Sequence, residues 1–183
     1  MILLLILLSG GLIFIQCVWV LTDPRPIGEQ QWFSSKLLIT YAVEVGLLVP
    51  QVVSGLYFPW NLGSLNQLCS VFGLIIFNVG IILAVWAKLT MKKSWGMPGE
   101  HAISRQKKLV TSGPFAMSRN PIYVGLLLLT LGFALTLRSY FIFLVIWLFF
   151  YFKAAIIKEE KLLTGYFGKE YQAYLCIVPR YLR

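Results

Sequence analysis

Five apolar runs alternate with shorter polar stretches along this chain. The first extends from Ile2 to Leu21 and stops at Thr22–Asp23–Pro24–Arg25–Pro26. The second, Leu37 to Phe58, carries Glu44, Pro50 and Gln51 inside it, and the third, Leu65 to Leu89, contains Asn78. A fourth, Ile122 to Leu137, is separated by Arg138–Ser139 from a fifth, Tyr140 to Ile157, rich in Phe and Trp. The hydrocarbon core of a bilayer takes a helix of about 20 apolar residues, with about 17–25 tolerated. The runs therefore predict an all-α integral membrane bundle of about five transmembrane helices. The fourth is short, about 24 Å at about 1.5 Å per residue. With the fifth it makes a tight hairpin whose two ends lie on the same side. The first run lacks the basic lead-in and small-residue cleavage site of a signal peptide, which predicts a retained helix.

Beyond Ile157 the pattern changes. In "KEEKLLTGYFGKEYQAYLCIVPRYLR", Leu162, Leu163, Tyr166, Phe167, Tyr171, Tyr174 and Leu175 recur with roughly helical spacing, interrupted at Gly165 and Gly168. That periodicity predicts an amphipathic helix lying on the membrane surface, with Glu159 and Glu160 at its start.

Composition agrees and charge adds the orientation. Of 183 residues, 58% are hydrophobic and 13% charged, more apolar than a soluble domain. The chain is expected to be one domain, 1–183, with a three-helix scaffold over 1–90 and a catalytic part over 91–183. The net charge of +9 comes from basic residues flanking apolar runs, a distribution that faces lipid headgroups rather than nucleic acid. With an odd number of crossings, one face collects 15 of the 16 Lys and Arg residues, and the other has Arg138. The positive-inside rule then puts the N-terminus outside and the C-terminus in the cytoplasm. The membrane is the inner membrane if the chain is bacterial and the endoplasmic reticulum if it is eukaryotic. Cys17, Cys69 and Cys176 are scattered, and His101 is the single histidine. Neither a disulfide framework nor a metal site follows from that set.

The polar residues that could do chemistry gather on the cytoplasmic side. In "TSGPFAMSRNPIYVG", Ser112–Gly113–Pro114–Phe115 reads as a turn. Asn120 suits an N-cap and Pro121 the first position of the fourth span. A helix N-terminus offers backbone N–H groups and the positive end of a dipole, suited to a carboxylate or other anion. Arg119 adds a fixed charge, and Phe115 and Tyr123 supply aromatic walls. Glu159 and Glu160, at the membrane boundary, can grip a cation. Glu44 is an ionisable residue inside a span, by default a functional candidate, and Gln51 shares its helical face.

These residues carry a resemblance. "KKLVTSGPFAMSRNPIYVG" resembles the L-V-x-x-G-x-Y-x-x-x-R-H-P-x-Y-x-G signature of the isoprenylcysteine carboxyl methyltransferase family. "EEKLLTGYFGKEYQAYLCIVPR" resembles its closing E-E-x-x-L-x-x-x-F-G-x-x-Y-x-x-Y-x-x-x-V-x-R segment. The two motifs cover about Lys107 to Arg180. The family binds S-adenosylmethionine at the cytoplasmic membrane face. By position, the resemblance implies cofactor contacts from Lys107, Lys108, Leu109, Val110, Phe115, Asn120, Pro121, Ile122, Tyr123 and Glu159, and loosely from Glu100. Glu159 would take the amino group, and the start of the fourth span the carboxylate. Arg119, Asn120 and Tyr123 are the expected catalytic residues, with Glu44 and Lys153 on the acceptor side.

Three positions depart from the pattern. Asn120 stands where the family has His, Phe115 where it has Tyr, and Ala155 where the eukaryotic enzymes have a substrate-contacting Arg. Methyl transfer needs positioning of donor and acceptor and exclusion of water more than a strong base. The expected function is S-adenosylmethionine-dependent methylation of a lipophilic small-molecule or prenylated acceptor, isoprenylcysteine carboxylate being the family's own. A phospholipid amine and a hydrophobic thiol are alternatives. A sterol-reductase-like enzyme using a nicotinamide cofactor and a non-catalytic membrane protein are the rival classes.

Overall fold

The computed structural model describes residues 2–22, 35–92 and 108–182. Six helices follow one another: α1 (Ile2–Leu21), α2 (Ser35–Tyr57), α3 (Asn66–Met91), α4 (Pro121–Leu137), α5 (Leu144–Phe167) and α6 (Lys169–Ile177). There is no strand among the described residues. Three stretches, Ile2–Leu21, Gly63–Met91 and Tyr140–Phe167, are long and apolar enough to cross a membrane, and Ala42–Tyr57 and Pro121–Leu137 are shorter apolar helices. The chain is an integral membrane protein.

α4 is the axis of the bundle. Its 17 residues include 12 that are buried, among them Tyr123, Leu129, Phe133 and Leu137. It lies against α3 along a seam in which Gly73 and Gly80 face Gly132 and Gly125. A Cβ on Gly132 would run into the backbone nitrogen of Phe77 and stand 2.6 Å from the carbonyl oxygen of Gly73. One on Gly125 would stand 2.8 Å from the backbone nitrogen of Ala84. In lipid, apolar burial gives helices no reason to associate, and such small-residue contacts supply the van der Waals packing that does. Leu8 and Ile15 of α1 then pack on Phe77, Ile81, Ala84 and Phe133.

At the end opposite the polar cluster, the α4–α5 turn is pinned to the turn after α2. Trp60 N–H donates to the Arg138 carbonyl at 3.0 Å, and Tyr140 N–H donates to Ser54 Oγ at 3.1 Å. Arg138 takes a left-handed conformation, φ 54°, and closes α4.

One expectation is corrected. The fifth helix does not give way at Ile157 to a new helix beginning at Glu159 and Glu160; α5 runs unbroken to Phe167. Lys158, Glu159, Glu160 and Lys161 are strong helix formers. Gly165 costs only about 1 kcal/mol in a helix interior, so the loss of apolarity does not end the helix. The break falls at Gly168, φ 54°, and the amphipathic tail is the nine-residue α6 alone. Its Tyr171 and Tyr174 are buried against Leu109 and Val178.

Candidate active site

The polar residues expected to act together meet where α4 begins, α5 ends and the chain returns after α6. The approach to α4 is shaped by a 3-10 turn, Gly113–Ala116, in which Gly113 has φ 61°. Phe115 is buried with Ala87 and Ile122, and its carbonyl accepts from the Tyr174 hydroxyl at 2.6 Å. α6 is thereby tied to the turn before α4. Burial pushes Tyr174 up to about 12, with nearby Arg119 acting the other way. Burial, and then the neighbouring Glu160, raise Tyr171 as well. The Tyr174 hydroxyl stays protonated and serves as a donor.

Two adjacent carboxylates on α5 have separate surroundings. Glu160 is held by two guanidiniums: Arg180 Nη2 donates at 2.6 Å and Nε at 3.2 Å, and Arg119 Nη1 lies at 3.2 Å. This ion-paired hydrogen bonding also raises Arg180. Glu159, half-buried on the next position of the helix, accepts from the Tyr123 hydroxyl at 3.0 Å. The Tyr123 ring in turn lies 5.0 Å from that of Phe152. Glu159 therefore faces the first turn of α4, whereas Glu160 faces the returning tail.

Asn120 occupies the N-cap position but does not cap. Its side chain makes no capping bond to the start of α4. The Asn120 amide instead donates to the Arg180 carbonyl at 3.1 Å, while Asn120 N–H donates to Ser118 Oγ at 3.1 Å. An amide with a carbonyl within reach on the tail bonds there instead, so the Asn120 side chain leaves the first turn of α4 without its cap. Arg119 does not supply a second free charge there, because its guanidinium is engaged by Glu160.

Of the other expected residues, Leu109 is buried under α6, Val110 packs beside Phe115, and Pro121 and Ile122 are buried in the first turn of α4. Lys108 and Lys153 are exposed. Glu100 and Lys107, like His101, lie outside the described residues. Glu44 of α2 accepts from Gln16 Nε2 of α1 at 3.1 Å, and Leu47, one turn on, packs in the cluster of Tyr123, Phe152 and Tyr181. Gln51, fully buried, donates to the Leu47 carbonyl at 2.9 Å and leaves its Oε1 without a partner.

The sequence reading passed over Ser118, Arg180 and Tyr181. The Arg180 signal was present, since it closes the second motif. Nothing in a lone terminal arginine says that its own backbone will be read by Ser118 and Asn120.

The protein is of the class of helical membrane bundles, with Tyr123 of α4 bonded to the half-buried Glu159 of α5. Within that class, the phospholipid methyltransferase family model (PEMT) matches residues 68–170, more than half of the chain, and the chain belongs to that family. The family lies in the isoprenylcysteine carboxyl methyltransferase-like group, so the resemblance drawn from the two motifs holds. The protein is a methyltransferase, of a family generally dependent on S-adenosylmethionine. The reductase and non-catalytic readings are set aside. No curated protein matches the chain.

Proposed function

We propose that this protein moves a methyl group from S-adenosylmethionine to the amine of a lipid headgroup at the cytoplasmic face of a five-span bundle. Residues 91–183 carry the chemistry on a scaffold made by 1–90, with the N-terminus outside. The observation that carries the donor site is the Tyr123–Glu159 pair at 3.0 Å beside the uncapped start of α4. Those groups fit the donor: Glu159 its amino group, the Ile122–Tyr123 turn its carboxylate. Asn120 and Pro121 shape that turn, Phe115 and Val110 wall it, and Leu109 with Lys107, Lys108 and Glu100 borders it. When bound, the donor supplies a methyl carbon activated by its sulfonium. The protein's own task is to aim the two partners and exclude water. Tyr123 and Phe152, with ring centroids 5.0 Å apart, would line the donor with an aromatic, dry wall.

The acceptor side favours an amine over a carboxylate. On α2 the Glu44 carboxylate accepts from Gln16, and the buried Gln51 Oε1 is an acceptor without a partner. Position 155 is Ala, where the resemblance implies a substrate-contacting Arg in the eukaryotic enzymes. A buried acceptor without a partner costs free energy until a donor reaches it. Glu44 can also take the proton that an ammonium must lose before its nitrogen attacks.

Purified protein given labelled donor and either ethanolamine-headed phospholipid or an S-prenylcysteine tests this directly. Label should pass to the phospholipid; label on the prenylcysteine alone would overturn the amine reading. Glu44→Leu should lower turnover about tenfold or more with unchanged donor binding. Unchanged turnover would remove Glu44 from the acceptor's path.

A further inference from the structure

We propose that Arg180 is a positioning residue for methyl transfer: it ties the start of α4 to the end of α5 and so keeps Glu159 beside Tyr123. The inference rests on the donor-binding reading above. Arg180 lies beyond the residues matched by the family, 68–170, and touches neither expected ligand.

It works through both of its ends. The guanidinium grips Glu160 with contacts at 2.6 and 3.2 Å. Its carbonyl receives Ser118 Oγ at 3.2 Å and the Asn120 amide at 3.1 Å. The preceding carbonyl, of Pro179, receives Arg119 N–H at 3.0 Å. Arg119 closes the ring by meeting Glu160 from the other side at 3.2 Å. One residue therefore bonds both elements between which the donor would sit. The α4–α5 hairpin turn lies at the far end of both helices and cannot set the alignment here. At this end the other ties among the described residues include the Arg119–Glu160 pair at 3.2 Å, the packing of Tyr123 on Phe152 at 5.0 Å, and the Tyr123–Glu159 bond that is to be kept in place.

The consequence for Glu159 is geometric. Neighbouring residues on a helix point about 100° apart, so fixing Glu160 fixes the direction of Glu159. A turn of about 20° by α5 about its axis swings a carboxylate by about 2 Å at the outer radius of a helix. That is enough to break the 3.0 Å contact with Tyr123. A guanidinium can grip a carboxylate at two points and hold its orientation, whereas a lysine ammonium makes a point contact.

The test compares Arg180→Gln and Arg180→Lys with wild type in detergent, reading kcat, the KM for donor and for lipid amine, and thermal unfolding. Labelled donor is first bound to wild type. Failure to bind there defeats the donor-site reading itself, and with it the ground for this one. Given wild-type binding, Arg180→Gln should raise the donor KM tenfold or more and leave the acceptor KM within twofold, and Arg180→Lys should fall between. A purely structural role removes active enzyme instead, lowering kcat with both KM values unchanged, and that result overturns the proposal. Should Arg180→Gln fail to fold, Arg180→Lys decides alone: an unshifted donor KM overturns it.

Discussion

The α3–α4 seam and the knot of Glu160, Arg119 and Arg180 hold the same helix, α4, by opposite physics. The seam has no charge and owes its strength to the absence of side chains, with backbone meeting backbone at Gly132 and Gly125. The knot consists almost wholly of charge and hydrogen bonds, drawn from three stretches far apart in the sequence. Contacts through shape tolerate no added atom and are indifferent to pH and salt. Contacts through charge tolerate change in size and fail when a partner is removed. The difference teaches where stability and function can be separated: harm to the seam should unfold the protein, and harm beside the knot should cost binding first.

The strongest way to break the comparison is Gly132→Ala. The new methyl has backbone of α3 on its far side, the Phe77 nitrogen and the Gly73 carbonyl, and backbone cannot move aside as a flexible side chain can. Overpacking of this kind costs about 3 kcal/mol or more. The expected outcome is a steep fall in detergent unfolding temperature. Gly165→Ala is the control, because a Cβ there meets nothing within 4 Å, and it should hold or raise stability by up to about 1 kcal/mol.

The two neighbouring carboxylates sharpen it. Glu160→Gln leaves the largely buried Arg119 guanidinium, 12% exposed, facing a neutral amide. Removing one partner of a buried pair costs about 3 kcal/mol, reduced somewhat by the solvent reaching Arg180. Glu159→Gln touches no ion pair among the described residues and should change unfolding little. Donor binding in that variant should weaken by about 1.5–3 kcal/mol, the range for a hydrogen bond to a charged group. If Glu160→Gln loses donor binding at unchanged stability while Glu159→Gln does not, the roles of the two are reversed.

Much of this was legible in advance, and the failures are instructive. The apolar runs located α1 to α4 to within a few residues, because lipid demands long apolar helices whatever they pack on. α5 was cut ten residues short, since the end of an apolar run marks the end of the bilayer, not of a helix whose polar continuation still forms well. The glycine seam escaped notice because a glycine in a span does not announce which neighbour comes close. The motifs named residues that the fold brings together, Tyr123 meeting Glu159 across 36 residues. The cap expected of Asn120 does not form, and Arg119 is engaged by Glu160, since a competing carbonyl of the tail and a carboxylate of α5 arrive by paths that no local pattern records.

The smallest effect separates the two kinds of contact most cleanly. Tyr174→Phe deletes one hydroxyl, the donor to the Phe115 carbonyl at 2.6 Å, and keeps the ring that packs with Tyr171 and Leu109. A buried hydrogen bond of this kind contributes about 1 kcal/mol, so unfolding should shift by that much and donor binding by less. The pH dependence gives the sign. Burial raises Tyr174 from 10.0 to about 12, so between those values the folded protein keeps a proton that the unfolded chain has lost. Its contribution is fully present below pH about 10 and declines as pH rises towards about 12. Wild type should therefore lose stability across that window faster than Tyr174→Phe does, while the control Gly165→Ala should run parallel to wild type. Equal slopes for wild type and Tyr174→Phe would mean that the hydroxyl is not buried against Phe115, and that α6 is not held to the turn before α4 in this way.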